Sequence, residues 1–446
     1  MRIQGSWVCR ISIGSLLWVG TLSSLQAGPY SAALNDPSNS YDAPVPGFLG
    51  PDGIGMARLV ASFDGNNDPI YQNPGNYVNP IFFDWATSVT QYFRADEDSP
   101  FSSLSLALGP VTGNNFDVVS LGDLSALQIS SAASPGSITL QLAKPIQNLS
   151  GPDFVVFENG FISTSNQGGF GVGGISAELA YVEVSADGVN FVRFPATSLT
   201  TAVVGPYGTI DPTNVYNLAG KHTNSYGKSW GTPFDLTQVG LLQIRYIRLV
   251  DIPGNGAFKD QAGRSIYDAW LTSGSGGFDL EALGSISTRM TYGEWPPLAT
   301  LDPVERAEDG DPDHDGLSNL LEYAFARLPN LADAADTLPS CRLVVGAGGM
   351  YSEFRFVRDE RLIDLKYEVQ VSSSLQAGAW TTLATSTAGA ALIQAAGDLS
   401  TITDSAANWM QGVGVVRVVT LRSATPVSAG YKQFFRVKVS RIPLGG

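Results

Sequence analysis

Short strand-like runs, several of which alternate apolar and polar residues, each closed by turn-forming residues, recur along almost the whole chain. This pattern restricts the chain to β structure more than any other feature. SITLQLA (137–143), DFVVFEN (153–159), AYVEVSA (180–186), NFVRFPA (190–196) and IRYIRLVDI (244–252) belong to a first group. Alternation of this kind is what a strand with one buried face requires. Asp187-Gly188, between two of these runs, is a hairpin signal. CRLVVGA, YSEFRFVRD, LKYEVQVSSS, WTTLATS, GVVRVVTLRS and KQFFRVKVS form a second group, beginning near Thr337. Only 15% of residues are charged, against the usual quarter or so, which argues against long solvated helices. At 446 residues the chain exceeds what one ordinary core accommodates, so the two groups read as two domains. The expected fold is all-β: a jelly-roll-like sandwich over 56–288, then a small immunoglobulin- or fibronectin-like sandwich over 336–446. Residues 28–55, rich in Pro, Gly, Asn and Ser, read as a lead-in segment. Long loops at 160–177 and 253–277 within the first domain are candidates for function.

The stretch between the two groups, 289–335, changes character. It is acidic and Pro-rich, and it contains DPDHDGLSNLLEYAF (311–325). Asp311, Asp313 and Asp315 occupy positions 1, 3 and 5 of the calcium-loop pattern, with Gly316 at 6, Asn319 at 9 and Glu322 at 12. A tight turn around a hard cation points alternate side chains inward, and the final glutamate closes the oxygen shell. Leu317, at position 7, supplies its backbone carbonyl. The expected ligand set for Ca2+ is therefore Asp311, Asp313, Asp315, Leu317, Asn319 and Glu322. NLLEYAFARL, which follows, has helical apolar spacing through Leu320, Leu321, Tyr323, Ala324 and Leu328. Pro303 and Gly310 leave room for at most about two helical turns ahead of the loop. A single EF-hand-like or thrombospondin type 3-like site is expected, not a paired sensor.

The N-terminus runs basic, apolar, then small: Arg2 and Arg10, an apolar run from Ile11 to Leu25, and Ala27. That order predicts a secretory signal peptide over 1–27, with no membrane-spanning segment after its removal. Its loss would take the formal charge from −15 to −17, which disfavours nucleic acid and anionic membrane surfaces as partners. It would also leave Cys341 as the only cysteine, so an intrachain disulfide is not expected.

DPDHDGLSNLLEYA followed by a strand-rich tail ending in FFRVKVS resembles the C-terminal part of exported bacterial surface proteins with a DxDxDGxxNxxEY junction. DFVVFENGF, AELAYVEVSADGVNFVRFP, TIDPTNVYNLAGKH, IRYIRLVDI and GSGGFDLEALG resemble an uncharacterised family of secreted bacterial cell-surface proteins. The sandwich of that family is similar to discoidin and galactose-binding jelly rolls. The resemblance implies a secreted or cell-surface location and no settled activity. Adhesion or carbohydrate recognition, with a glycan or surface polymer as partner, is expected from the signal peptide, the acidic loop, the sandwich pattern and the lack of a catalytic triad.

An enzyme is not expected. The G-x-S-x-G string at 227–231 lacks the following helix of a nucleophile elbow, because Thr232-Pro233 comes next, and His222 is the sole histidine outside the acidic loop. One cysteine after signal removal and no H-E-x-x-H exclude the usual zinc sites. The alternative is a carbohydrate-active hydrolase using two of Glu158, Glu178, Asp251, Asp268, Asp279 and Glu281. Those carboxylates also read as turn caps or as ligands of a second calcium. Trp230, Tyr267 and Trp270 are candidates for a sugar-stacking platform or for simple packing.

Overall fold

The computed structural model describes residues 28–34, 42–50, 60–63, 65, 69–96, 100–226, 228–272, 276–332, 339–376, 378–396, 400–409, 412–427 and 432–443. The expected signal peptide lies outside them. The chain is all-β, and its principal strands are labelled here in chain order. Asp84–Phe93 (β1), Ser137–Gln147 (β2), Phe154–Glu158 (β3), Ala180–Ser185 (β4), Trp230–Phe234 (β5), Gln243–Asp251 (β6) and Asp279–Ser285 (β7) build the first domain. They lie in the order β5-β3-β7-β1-β2-β6-β4, with Val45–Pro46 added beside β5 and Val192–Arg193 beside β4. Every pairing among them is antiparallel.

The sheet curls at one weak point, where β7 meets β1 through only Gly284–Trp85 and Ser285–Asp84. Its two halves thereby face each other. Ile138, Leu140 and Leu142 from β2, Val182 and Val184 from β4, and Ile247 and Leu249 from β6 share one buried cluster with Phe154 and Val156 of β3 and Leu280 and Leu283 of β7. The two-residue spacing of the side chains from β2, β4, β6 and β3 is the period of a strand with one buried face, while a register shift after Leu280 sets Leu280 and Leu283 of β7 three apart. The Asp187-Gly188 turn does return the chain, pairing Glu183 with Arg193 and Val184 with Val192.

The second domain stacks two four-stranded sheets. Ser340–Gly346 (β8), Gly349–Asp359 (β9), Leu365–Ser372 (β10), Thr381–Thr387 (β11), Thr401–Trp409 (β12), Gly412–Arg422 (β13) and Phe434–Arg441 (β14) are its main strands. One sheet runs β8-β9-β13-β12, and the other runs β11-β10-β14 with Ile393–Gln394 beside β11.

The described part of the segment between the two domains, 289–332, is no free spacer. Met290, Tyr292, Trp295, Leu298, Leu301, Tyr323, Ala324 and Phe325 are buried in the same cluster as Phe354, Phe356, Leu365, Tyr367 and Val419. Tyr323 donates its hydroxyl to Asp364 Oδ1 at 3.0 Å, and Tyr367 donates to the carbonyl of Ala324 at 2.6 Å. The predicted helix forms over Asn319–Ala324 and stops short of the full NLLEYAFARL, because Ala326 turns into left-handed backbone at φ +54° and is itself buried.

The two sandwiches dock directly. Val155, Phe157 and Ala282, on the outer face of β3 and β7, share a buried cluster with Val415 and Val416 of β13. Gly414 passes so close that a Cβ there would lie 1.9 Å from the carbonyl oxygen of Ser150, and its φ of +124° is one that glycine alone adopts readily. Gly414→Ala is expected to lower stability by about 2 kcal/mol through strain and overpacking. A urea midpoint equal to wild type would contradict this contact.

Candidate functional site

Two places gather polar chemistry. The first is the acidic loop. One carboxylate oxygen from each of Asp311, Asp313 and Asp315 lies within 4.8 Å of the other two, the only such group of three among the described residues. Gly316 follows at φ +92°, giving the reversal that a side chain would strain. The loop amides fold onto its own carboxylates. Gly316 N donates to Asp311 Oδ2 at 3.2 Å, Asp315 N to Asp313 Oδ1 at 3.2 Å and Leu317 N to Asp315 Oδ1 at 2.8 Å. Asp311 Oδ1 and Asp313 Oδ2 are buried and have no hydrogen-bond partner. Burial and the carboxylates of Asp315 and Asp311 raise the pKa of Asp313 above its usual range.

Asn319 supplies an independent observation. Its side-chain nitrogen donates to the carbonyls of Glu305 and Ala307 at 2.7 and 2.8 Å, which fixes the amide. Its oxygen is thereby turned away from those carbonyls and is left buried without a partner. Unpartnered buried oxygens cost about 1–3 kcal/mol each, and a metal ion offsets that cost. Glu322 is fully buried in the first helical turn. Ahead of the loop stands a single 3-10 turn, Pro303–Glu305, where an EF-hand has a full helix. The acidic triad can hold a metal ion.

The second place is one end of the first sandwich, where strand ends converge. Glu158 closes β3 and faces Leu280 of β7 across the ladder, while Asp251 closes β6 opposite Ala180, the first residue of β4. Glu178 stands two residues before β4, and Asp279 opens β7. Glu158, Glu178 and Asp279 line a pocket of about 240 Å³, together with Asn159, Asn115, Phe101, Phe116, Phe161, Tyr207 and Tyr226. Asp123, Asp251 and Asp268 are buried behind it and act electrostatically on the pocket carboxylates and on one another.

Glu158, Glu178, Asp251 and Asp268 accept from neutral donors. Glu158 accepts from Gly160 N at 2.8 Å, Glu178 from the Thr272 hydroxyl, Asp251 from Phe278 N at 2.8 Å and Asp268 from Leu179 N at 2.9 Å. Burial first, and neighbouring carboxylates second, hold Glu158, Glu178, Asp251 and Asp268 well above the ordinary carboxylate range; Asp123 is pushed up to about 7. The folded chain therefore keeps protons that the unfolded chain releases near pH 4. Stability from this cluster is complete below that pH and is lost progressively as pH rises toward the raised folded-state values, about 7 for Asp123. The urea midpoint is expected to fall between pH 5 and pH 8, with each retained proton contributing a slope of about 1.4 kcal/mol per pH unit. A midpoint that rises over this interval would contradict it.

Glu281 stands apart from the pocket lining. It accepts from Thr112 N at 2.8 Å and Gly113 N at 3.0 Å and also pairs with the amide of Asn224, so it ties a loop. The three predicted platform aromatics occupy different surroundings. Trp230 lies with Lys221 and His222, Tyr267 packs against Gly256, and the Trp270 indole donates to Leu124 O at 3.0 Å. Sequence reasoning named the pocket carboxylates singly and missed the rim. Phe116 and Tyr226, 69% and 72% exposed, are the residues that give it aromatic faces. Their signal was an isolated aromatic in a polar loop, as in Asn114-Asn115-Phe116 and Asn224-Ser225-Tyr226. Ser229 immediately precedes β5 with no strand-to-helix turn, and Gly227 of the G-x-S-x-G string lies outside the described residues. His222 is buried, with its Nε2 2.9 Å from the carbonyl oxygen of Asp42.

No protein-family model matches this chain, and a search of curated proteins finds no match. No described helix is long and apolar enough to cross a membrane.

Proposed function

We propose that the chain is an exported calcium-binding β protein that recognises carbohydrate through its first sandwich. The calcium reading is carried by one observation: oxygens of Asp311, Asp313 and Asn319 are buried without hydrogen-bond partners in a loop with calcium-ligand spacing. The three carboxylate oxygens lie within 4.8 Å of one another, close enough for one calcium with oxygens at about 2.4 Å to be reached by all three. Magnesium at about 2.1 Å needs a tighter shell, and zinc prefers nitrogen or sulfur. In this reading Leu317 contributes its carbonyl and Glu322 closes the shell. Thermal melts in calcium, magnesium and chelator test it: calcium raises the midpoint well above that in chelator, and an equal rise with magnesium would overturn the assignment.

Carbohydrate recognition is supported by the aromatic rim over polar side chains at the end of the first sandwich, since sugars combine apolar faces with hydroxyl edges. A glycan array probed with the intact chain in calcium tests it. Binding lost on Tyr226→Ala supports the pocket, and an array with no signal removes the reading. The hydrolase alternative draws on the same carboxylates, because Glu158 in its protonated form is suited to general acid work. Turnover of aryl glycosides, abolished by Glu158→Gln, would favour it.

A further inference from the structure

The pocket at the end of the first sandwich has an electrostatic character that narrows its ligand. Among the described residues, no Lys, Arg or His lines it, while Glu158, Glu178 and Asp279 do. Behind that floor, Asp251 Oδ2 and Asp123 Oδ1 are buried without hydrogen-bond partners, in residues 0% and 6% exposed. Carboxylates held by neutral donors and crowded by others are stabilised by a cation brought in from outside. A bare divalent ion fits poorly. The pocket carboxylates do not bring three oxygens within 4.8 Å of one another, as the Asp311 loop does. A cation with its donors spread over a larger group suits the spacing better.

The rim points to the same class. Phe116 stacks on Phe101 at 6.4 Å between ring centroids, and Tyr226 meets Phe161 edge to face at 5.4 Å. Exposed aromatic faces beside carboxylates that an incoming ammonium drives to give up their protons attract ammonium groups by cation–π interaction and accept the apolar face of a sugar ring. The volume, about 240 Å³, lies just below the usual range for drug-sized ligands and suits one ring.

We propose that this pocket receives the ammonium-bearing ring of an amino sugar, its ring against Tyr226 and Phe116 and its ammonium directed at Glu158 and Glu178. The proposal rests on the carbohydrate reading above and narrows it to cationic polysaccharide. The floor supplies the charge that discriminates a free amine from its acetylated form, and the rim supplies contact common to both.

Calorimetric titration of the intact chain tests this, in calcium and at about 0.15 M salt so that diffuse attraction to the acidic surface is screened. The probes are a glucosamine hexamer, its N-acetylated counterpart, a glucose hexamer and a lysine hexapeptide. The glucosamine hexamer is expected to bind at least about tenfold more tightly than the other three, since an ammonium over aromatic rings beside a carboxylate contributes more than a kcal/mol. Glu178→Gln and the rim variant Tyr226→Ala should each weaken it by on the order of tenfold. Equal binding of the acetylated or glucose hexamers overturns the ammonium assignment and leaves the carbohydrate reading standing. Binding of none of the sugars removes both. Tighter binding of the lysine peptide assigns the pocket to a protein partner and overturns the proposal, as does unchanged glucosamine affinity in both variants.

Discussion

Arg361→Met is expected to unfold about 3–5 kcal/mol more easily than the wild type, the cost of leaving a buried charge without its partner. Arg361 is fully buried and grips Asp359, itself 2% exposed, through Nε at 2.9 and 3.0 Å and Nη2 at 2.6 Å. Its remaining nitrogen reaches across the junction, donating to Ile81 O at 2.8 Å and Ile286 O at 3.2 Å. The guanidinium lies 3.6 Å from the Phe83 ring centroid. One side chain thus satisfies a carboxylate from the second sandwich and two carbonyls from the first. Methionine keeps the apolar stem but none of the donors, so Asp359 and both carbonyls lose bonds together. Two resolved unfolding transitions are expected in urea, because the docking of the sandwiches weakens along with the second domain. A variant within about 1 kcal/mol of wild type, with a single transition, would show that the pair contributes little beyond an apolar replacement.

Asp313→Ala with Asp315→Ala should abolish the stabilisation that calcium gives. For free calcium at a thousand times the dissociation constant, that stabilisation is about 4 kcal/mol. In chelator the double variant is expected to match or exceed the wild type, because crowded carboxylates are removed. A structural linker without a metal predicts no calcium dependence in either protein. The loop's place in the second core sets how the effect spreads. Leu320 and Leu321 pack against the cluster around Leu365 and Tyr367, and Arg441 at the end of β14 reaches Glu308 at 2.6 Å. Ordering the loop therefore ought to stabilise the second sandwich first.

The strands were legible because alternation is a local property, and the calcium-loop spacing was legible because all its positions fall within twelve residues. The pocket was not. Glu158, Glu178, Asp251 and Asp279 span more than a hundred residues of sequence, and only the antiparallel order of β3, β7, β6 and β4 brings their strand ends to one edge. Each carboxylate reads as a turn cap by itself, and Glu281 is in fact one, while its neighbour two residues earlier lines the pocket. The docking of the sandwiches was hidden for a similar reason. Val155 and Phe157 sit within DFVVFEN, whose unbroken apolar run signals burial on both faces without naming what covers the second. The aromatic platform was misplaced because Trp and Tyr serve packing and recognition alike, and exposure, which separates the two roles, is not written locally.

Calorimetric titration of the chelated intact chain with calcium addresses the central claim most directly. A saturable binding event that disappears in the Asp313→Ala, Asp315→Ala double variant is the predicted result. Identical binding heats in the variant, or none in the wild type, would contradict a calcium site at Asp311.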